Sequence, residues 1–128
     1  MREPIKSVLA GLQRPARATG ATILIYHRVG GGTTDELDIG TPAKRKRVAR
    51  RVDGWIDDCA RKGFDAVEPD NYDSYTRSDG LLSASDATAF IALLSRHAHD
   101  RHLAIAQKNT SELAGRRRRA GLDFAVAE

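Results

Sequence analysis

Apolar and polar positions change their period several times along the chain, and each change predicts an element. Thr22 to Val29 (TILIYHRV) is β-branched and aromatic, which predicts a strand. Gly30, Gly31 and Gly32 end it in a loop running to about Gly40. Thr41 followed by Pro42 has the form of an N-cap with proline at the first helical position. Val48, Val52, Trp55, Ile56 and Cys59 then recur at helical spacing, one apolar stripe with charges elsewhere, and Gly63 is the expected stop. Phe64, Ala66 and Val67 open a second strand that ends at Pro69, which has no amide to donate to a ladder. Asn71 to Ser83 is predicted as a polar loop. Ser83 or Ser85 caps a second helix whose Ala87, Phe90, Ile91, Leu94 and Ala98 form the buried face. Leu103 to Lys108 (LAIAQK) predicts a strand, Ser111 to Gly121 a short helix, and Leu122 to Ala127 (LDFAVA) a last strand.

From residue 41 the order is therefore α-β-α-β-α-β, which means a parallel sheet with helical crossovers. No G-x-G-x-x-G or Walker loop stands at any strand-to-helix turn, which argues against nucleotide-binding versions of that plan. The expected class is α/β, a partial (β/α)8 TIM-type barrel. A whole barrel normally takes ~250 residues, so the 128 residues hold about half of one. The expected organisation is a poorly ordered basic lead over residues 1–20, a strand and glycine-rich loop over 21–40, and the partial barrel over 41–128. Along LAIAQK, Leu103 and Ile105 face one way and Ala104, Ala106 and Lys108 the other. Small inward residues with a polar one at the strand's end suit a barrel interior and its rim.

The candidate chemistry lies where the second strand runs out. Side chains alternate, so Ala66, Glu68 and, if the extended path continues, Asp70 share one face. Clustered carboxylates repel, and their burial must be compensated. The carboxyl ends of parallel strands are also where α/β proteins build their sites. An acidic functional site is expected there.

Composition narrows the partners. With 41% apolar and 30% charged residues the chain has ordinary globular composition, and no apolar run is long enough to span a membrane, so no membrane partner is expected. The formal charge of +4 is uneven. Lys44, Arg45, Lys46, Arg47, Arg50 and Arg51 form one basic run and Arg116 to Arg119 another. Setting those ten aside leaves 11 of the 21 basic residues against 17 acidic ones, a net of −6. The basic runs suggest a polyanion-binding module as a competing class. No aromatic residues interleave them, so solvated helix faces are the preferred reading and no nucleic acid is expected. Cys59 is the single cysteine, which excludes an internal disulfide. His97, His99 and His102 sit at a helix end without a carboxylate or cysteine to complete a metal set, and complementing the helix dipole is the expected role. Trp55 and Cys59 belong to the core stripe. The first twenty residues lack the uninterrupted apolar core of a signal peptide, so the residues alone point to the cytoplasm.

Four motifs in order add a resemblance: LDIGTPAKR (Leu37 to Arg45), KGFDAVEPDNYDSY (Lys62 to Tyr75), LAIAQKN (Leu103 to Asn109) and LDFAVAE (Leu122 to Glu128). From about Leu37 onward the sequence resembles glycoside hydrolase family 114, the endo-α-1,4-polygalactosaminidase-like barrels. The resemblance implies hydrolysis of galactosamine-containing polysaccharide in an extracellular setting. It also implies that Asp70 and Glu128 are the catalytic carboxylate pair. Glu68, Asn71, Lys108 and Asn109 match motif positions around that site, as sugar contacts or as residues behind them. Two carboxyl groups suffice for glycoside hydrolysis, so neither cofactor nor metal is expected. Asp70 and Glu128 would close strands ~10 Å apart, two spacings of ~4.8 Å. Converging side chains then fit either a retaining or an inverting separation; retention, with Asp70 as nucleophile and Glu128 as acid/base, follows from the resemblance alone. Deacetylated galactosamine units are cationic at neutral pH, and Glu68, Asp70 and Asp73 would attract them, although Asp73 equally suits a turn cap.

Residues Ala21 to Asp38 look instead like the opening strand of polysaccharide deacetylases. The His-x-x-x-His spacing of their metal site does not occur, and His27 alone cannot hold a catalytic metal. A fragment, a fusion or a mis-called frame would each explain such a join. Glu128, as the last residue, has no following residue to fix its rotamer, so the chain as written is expected to be inactive. The alternative to the hydrolase reading is a non-catalytic fragment, or a subunit that completes its barrel with another chain. Open sheet edges would promote self-association.

Overall fold

The computed structural model describes residues 23–26, 39–70 and 72–127. The lead over 1–20, most of the segment over 21–40, Asn71 and Glu128 lie outside the described residues. The elements follow the expected alternation: β1 (Ile23–Tyr26), α1 (Pro42–Arg61), β2 (Ala66–Pro69), α2 (Ala84–Asp100), β3 (Ala104–Lys108), α3 (Arg117–Ala120) and β4 (Phe124–Val126). Two 3-10 turns, Ser74–Arg77 and Ser111–Arg116, lie in the loops after β2 and β3. The four strands pair in parallel in chain order. The α/β class is therefore observed, as an open parallel sheet consistent with part of a TIM-type fold.

Local chemistry explains the elements. The Thr41 hydroxyl accepts from the Lys44 amide (3.3 Å), and Pro42 follows at the first helical position. Ser83 and Asp86 make the reciprocal capping box at the start of α2. Val48, Ile56 and Cys59 are buried, while Val52 and Trp55, assigned to the same stripe, are half-buried. Ala87, Ile91, Leu94 and Ala98 are buried as expected, and Phe90 packs partly against them. Val67, Leu103 and Ile105 share this core with α1 and α2. Strand alternation turns Ala66, Glu68, Ala106 and Lys108 to the opposite face, and these too are buried.

Three local expectations need correction. The segment after β2 is not simply polar, because Tyr72 is buried in the core. The helix expected from Ser111 is a 3-10 turn followed by a single α-turn, with Gly121 (φ 73°) closing it. The last strand is shorter than LDFAVA, because the Leu122 amide is spent on the Arg117 carbonyl at the helix end. The basic runs behave as outer faces: Lys44, Lys46, Arg47, Arg50 and Arg51 are exposed. Arg45 differs, donating to the Ile39 carbonyl (2.9 Å) and to Asp86 (2.7 Å). No helix among the described residues is long and apolar enough to cross a membrane.

Candidate functional site

The carboxyl ends of β2 and β3 are adjacent, because these strands are direct neighbours in the sheet. Ala66 pairs with Ala104 and Val67 with Ile105. β2 runs on to Pro69, with Asp70 next, and β3 runs on to Lys108, which itself pairs with Val126 of β4. Glu68, Asp70, Lys108 and Asn109, read from the sequence as one site, therefore share one rim.

Their environments differ sharply. The Glu68 side chain is 1% exposed and that of Lys108 6%, and Lys108 Nζ stands 3.8 Å from Glu68 Oε1. That distance is an ion pair but too long for a hydrogen bond. Glu68 Oε1 is buried with no hydrogen-bond partner among the described residues. Asp70 is half-buried, one pleat further toward the opening. Asp73 is engaged within its own loop: Arg77 donates to both of its carboxylate oxygens, at 2.8 and 3.0 Å. That pairing holds the Asp73 carboxyl below the usual carboxylate range. It raises the Arg77 guanidinium in turn, with a smaller contribution from Asp70.

Beyond Lys108 the chain makes a turn that the sequence did not advertise. Asn109 (φ 47°) and Thr110 (φ 55°) are both left-handed, a conformation costly for side-chain-bearing residues. Hydrogen bonds hold the turn in place. The Gln107 amide donates to the carbonyls of Asn109 (3.1 Å) and Thr110 (2.7 Å). The Thr110 hydroxyl donates to the Lys108 carbonyl (3.0 Å), and the Asn109 amide to Val126 of β4 (2.8 Å). Gln107, Thr110 and Arg77 were missed by sequence reasoning; a buried amide at the end of an otherwise apolar strand was the available signal for Gln107. Tyr75 donates to Glu112 (3.1 Å), tying the loop after β2 to the turn after β3. Burial first, and then this bond, push the Tyr75 hydroxyl up. The buried Tyr72 hydroxyl beneath has no partner at hydrogen-bond distance among the described residues; desolvation pushes it up, with Thr88 and Arg116 offsetting part of the rise.

Two of the helix-end histidines are committed elsewhere. His97 Nε2 lies 2.7 Å from Asp57, and His99 Nε2 lies 2.9 Å from Asp123. No group of three His, Cys, Asp or Glu residues is placed to hold a metal among the described residues. A cleft of about 600 Å3 opens between β4 and the turn after β3, lined by Gln107, Asn109, Ser111, Arg118 and Ala125. Among the described residues it shares only Asn109 with the sequence-derived site, and Glu68, Asp70 and Asp73 do not line it. The strand-end rim, where Glu68 and Asp70 stand in succession, is the candidate site.

Comparison with known proteins agrees with the motifs. The model of glycoside-hydrolase family GH114 matches residues 34–128. The crystal structure of Aspergillus fumigatus Ega3 in complex with galactosamine is similar, with 28% sequence identity and a TM-score of 0.56. The match covers 70% of this chain and 34% of that one, so the chain spans about a third of that structure's length. No curated protein matches.

Proposed function

The chain belongs to glycoside-hydrolase family GH114, and from that premise we propose that it carries part of the catalytic rim of a (β/α) barrel that cleaves galactosamine-containing polysaccharide. The observation that carries this reading is Asp70, a half-buried carboxylate just beyond the end of β2, whose neighbour β3 ends at Lys108. Glu68 is too deeply buried to attack a sugar, whereas Asp70 lies nearer the opening.

In the proposed reaction Asp70 attacks the anomeric carbon as Glu128 protonates the departing glycosidic oxygen. Glu128, now a base, then takes a proton from water, which displaces Asp70 and regenerates both carboxyl groups. Inversion remains the alternative, with the same two groups acting across a water molecule. Asn71 and Asn109 would hydrogen-bond sugar hydroxyls. The net negative charge of the chain outside its basic runs favours a cationic, de-N-acetylated polymer.

The test is release of reducing ends from α-1,4-linked polygalactosamine by the 128-residue protein. The 128 residues alone are expected to give none; grafted into a complete barrel of the family they should turn over, and Asp70→Asn there should lower the rate by about a thousand-fold or more. Equal activity in that variant would remove Asp70 from the chemistry. Proton NMR of the first product formed would distinguish retention from inversion.

A further inference from the structure

We propose that the outward face of the first half of α1 is a docking surface for an acidic polysaccharide, carboxylated or sulfated, separate from the rim that meets the cationic substrate. Lys44, Lys46, Arg47, Arg50 and Arg51 are all exposed, and from Pro42 to Val52 the helix carries no carboxylate. Arg45, the remaining cation of the run, is turned inward to the Ile39 carbonyl and Asp86. At a rise of 1.5 Å per residue the outward charges spread over ~10 Å. Asp86 lies in the first turn of α2, which follows the loop leaving β2, so the Arg45 bond sets the basic half of α1 at the rim end of the sheet.

Stability gives no reason for such a run. Cations in a helix's first turn oppose its dipole, and like charges three or four residues apart repel, as at Lys46 and Arg50 or at Arg47 and Arg50. The neighbouring helix α2 makes the opposite choice. Its Asp86 stands three residues after the N-cap and closes a capping box, whereas Lys44 holds the same place after Thr41. A face kept merely soluble mixes both signs, and the second half of α1 does so. There Asp57 accepts from His97 and Arg101, and Asp58 pairs with Arg61. Local partners of the outward cations are no bar to docking, because exposed ion pairs are weak and exchange with the many charges of a polymer. The run has no Asn or Gln to read base edges, and Trp55 is half-buried on the core stripe rather than offered for stacking. A regularly charged glycan therefore fits the face better than a nucleic acid. The partner class rests on the hydrolase reading above: a galactosamine polymer is polycationic and collects polyanions by charge, so the substrate is met in their company.

The test is calorimetric titration of the 128-residue chain with polygalacturonate, dextran sulfate, neutral dextran and a DNA duplex. At least one acidic glycan should bind and neutral dextran should not, with affinity falling on the order of ten-fold between about 50 and about 200 mM salt. Lys46→Glu should weaken glycan binding by about five-fold or more. The same variant should raise the urea midpoint, since its carboxylate stands four residues before Arg50, an attractive order. Arg119→Glu, in the second basic run, should leave binding within about two-fold. No glycan binding at low salt, binding unmoved by Lys46→Glu, an equal loss in Arg119→Glu, or a lowered midpoint in Lys46→Glu would each overturn the proposal. Tighter binding of the duplex than of either acidic glycan would overturn it in favour of a nucleic-acid partner. Glycan binding without turnover by the grafted barrel would sink the hydrolase reading alone, leaving the docking surface demonstrated.

Discussion

Asp57 shows how a single carboxylate couples two helices. It lies on α1 and accepts from Arg101 Nε (2.6 Å) and from His97 Nε2 (2.7 Å), both near the end of α2. The Arg101 hydrogen bond, and then that of His97, hold its carboxyl below the ordinary value of 3.8. A carboxyl lowered in the folded state adds stability above its unfolded pKa, and that stability is lost as pH falls through the folded value. The wild-type chain should therefore lose stability as pH drops below about 4, with Asp57 contributing. Arg101→Ala should be less stable at neutral pH and show a shallower acid decline in urea unfolding series. Superimposable acid profiles would contradict this. Asp53, nearby on the same helix, works the other way, since burial raises its carboxyl despite the partly compensating His97. None of this was legible in the sequence. The histidines were read as helix-dipole groups because their partners lie 40 and 24 residues away, and no local pattern encodes such a contact.

At the scale of elements, the three helices end alike and deliver the chain into the following strand. After α1, the Gly63 amide bonds to Ala60 and that of Phe64 to Cys59; after α2, His102 bonds to His99 and Leu103 to Ala98; after α3, Gly121 bonds to Arg118 and Leu122 to Arg117. Each is a Schellman closure with a left-handed residue at its turn. Each is followed by an apolar residue, Phe64, Leu103 or Leu122, packed in or against the core. Gly63 and Gly121 were legible as stops because glycine adopts φ > 0 without penalty. His102 (φ 60°) was not, since only the closing hydrogen bonds force a histidine into that region. His102→Gly should stabilise the fold by about 0.5–1 kcal/mol, read from the urea midpoint, with an unchanged or lower midpoint as the contrary result. Gly121→Ala should do the reverse, because a Cβ there would meet Ser95 Cβ at 3.0 Å in an already left-handed residue. A loss of about 1–2 kcal/mol is expected.

For the whole molecule, β1 and β4 end the sheet among the described residues, each with a single strand neighbour. Unpaired strand edges seek partners, and sedimentation velocity is expected to show association that increases with concentration; a monodisperse monomer throughout would oppose it. The sequence by itself determined the order of elements, the two N-caps, the core faces of α1 and α2, and family membership, because propensity, periodicity and capping act within a few residues. Tertiary structure alone decided how the site residues are employed. It withdrew Glu68 and Lys108 into a buried pair, gave Asp73 to Arg77 and clamped the Asn109 turn with Gln107. The β2–β3 pairing brings residues some forty positions apart to one level, and burial then sets how strongly their charges interact. Both belong to the packed sheet rather than to any single stretch of chain.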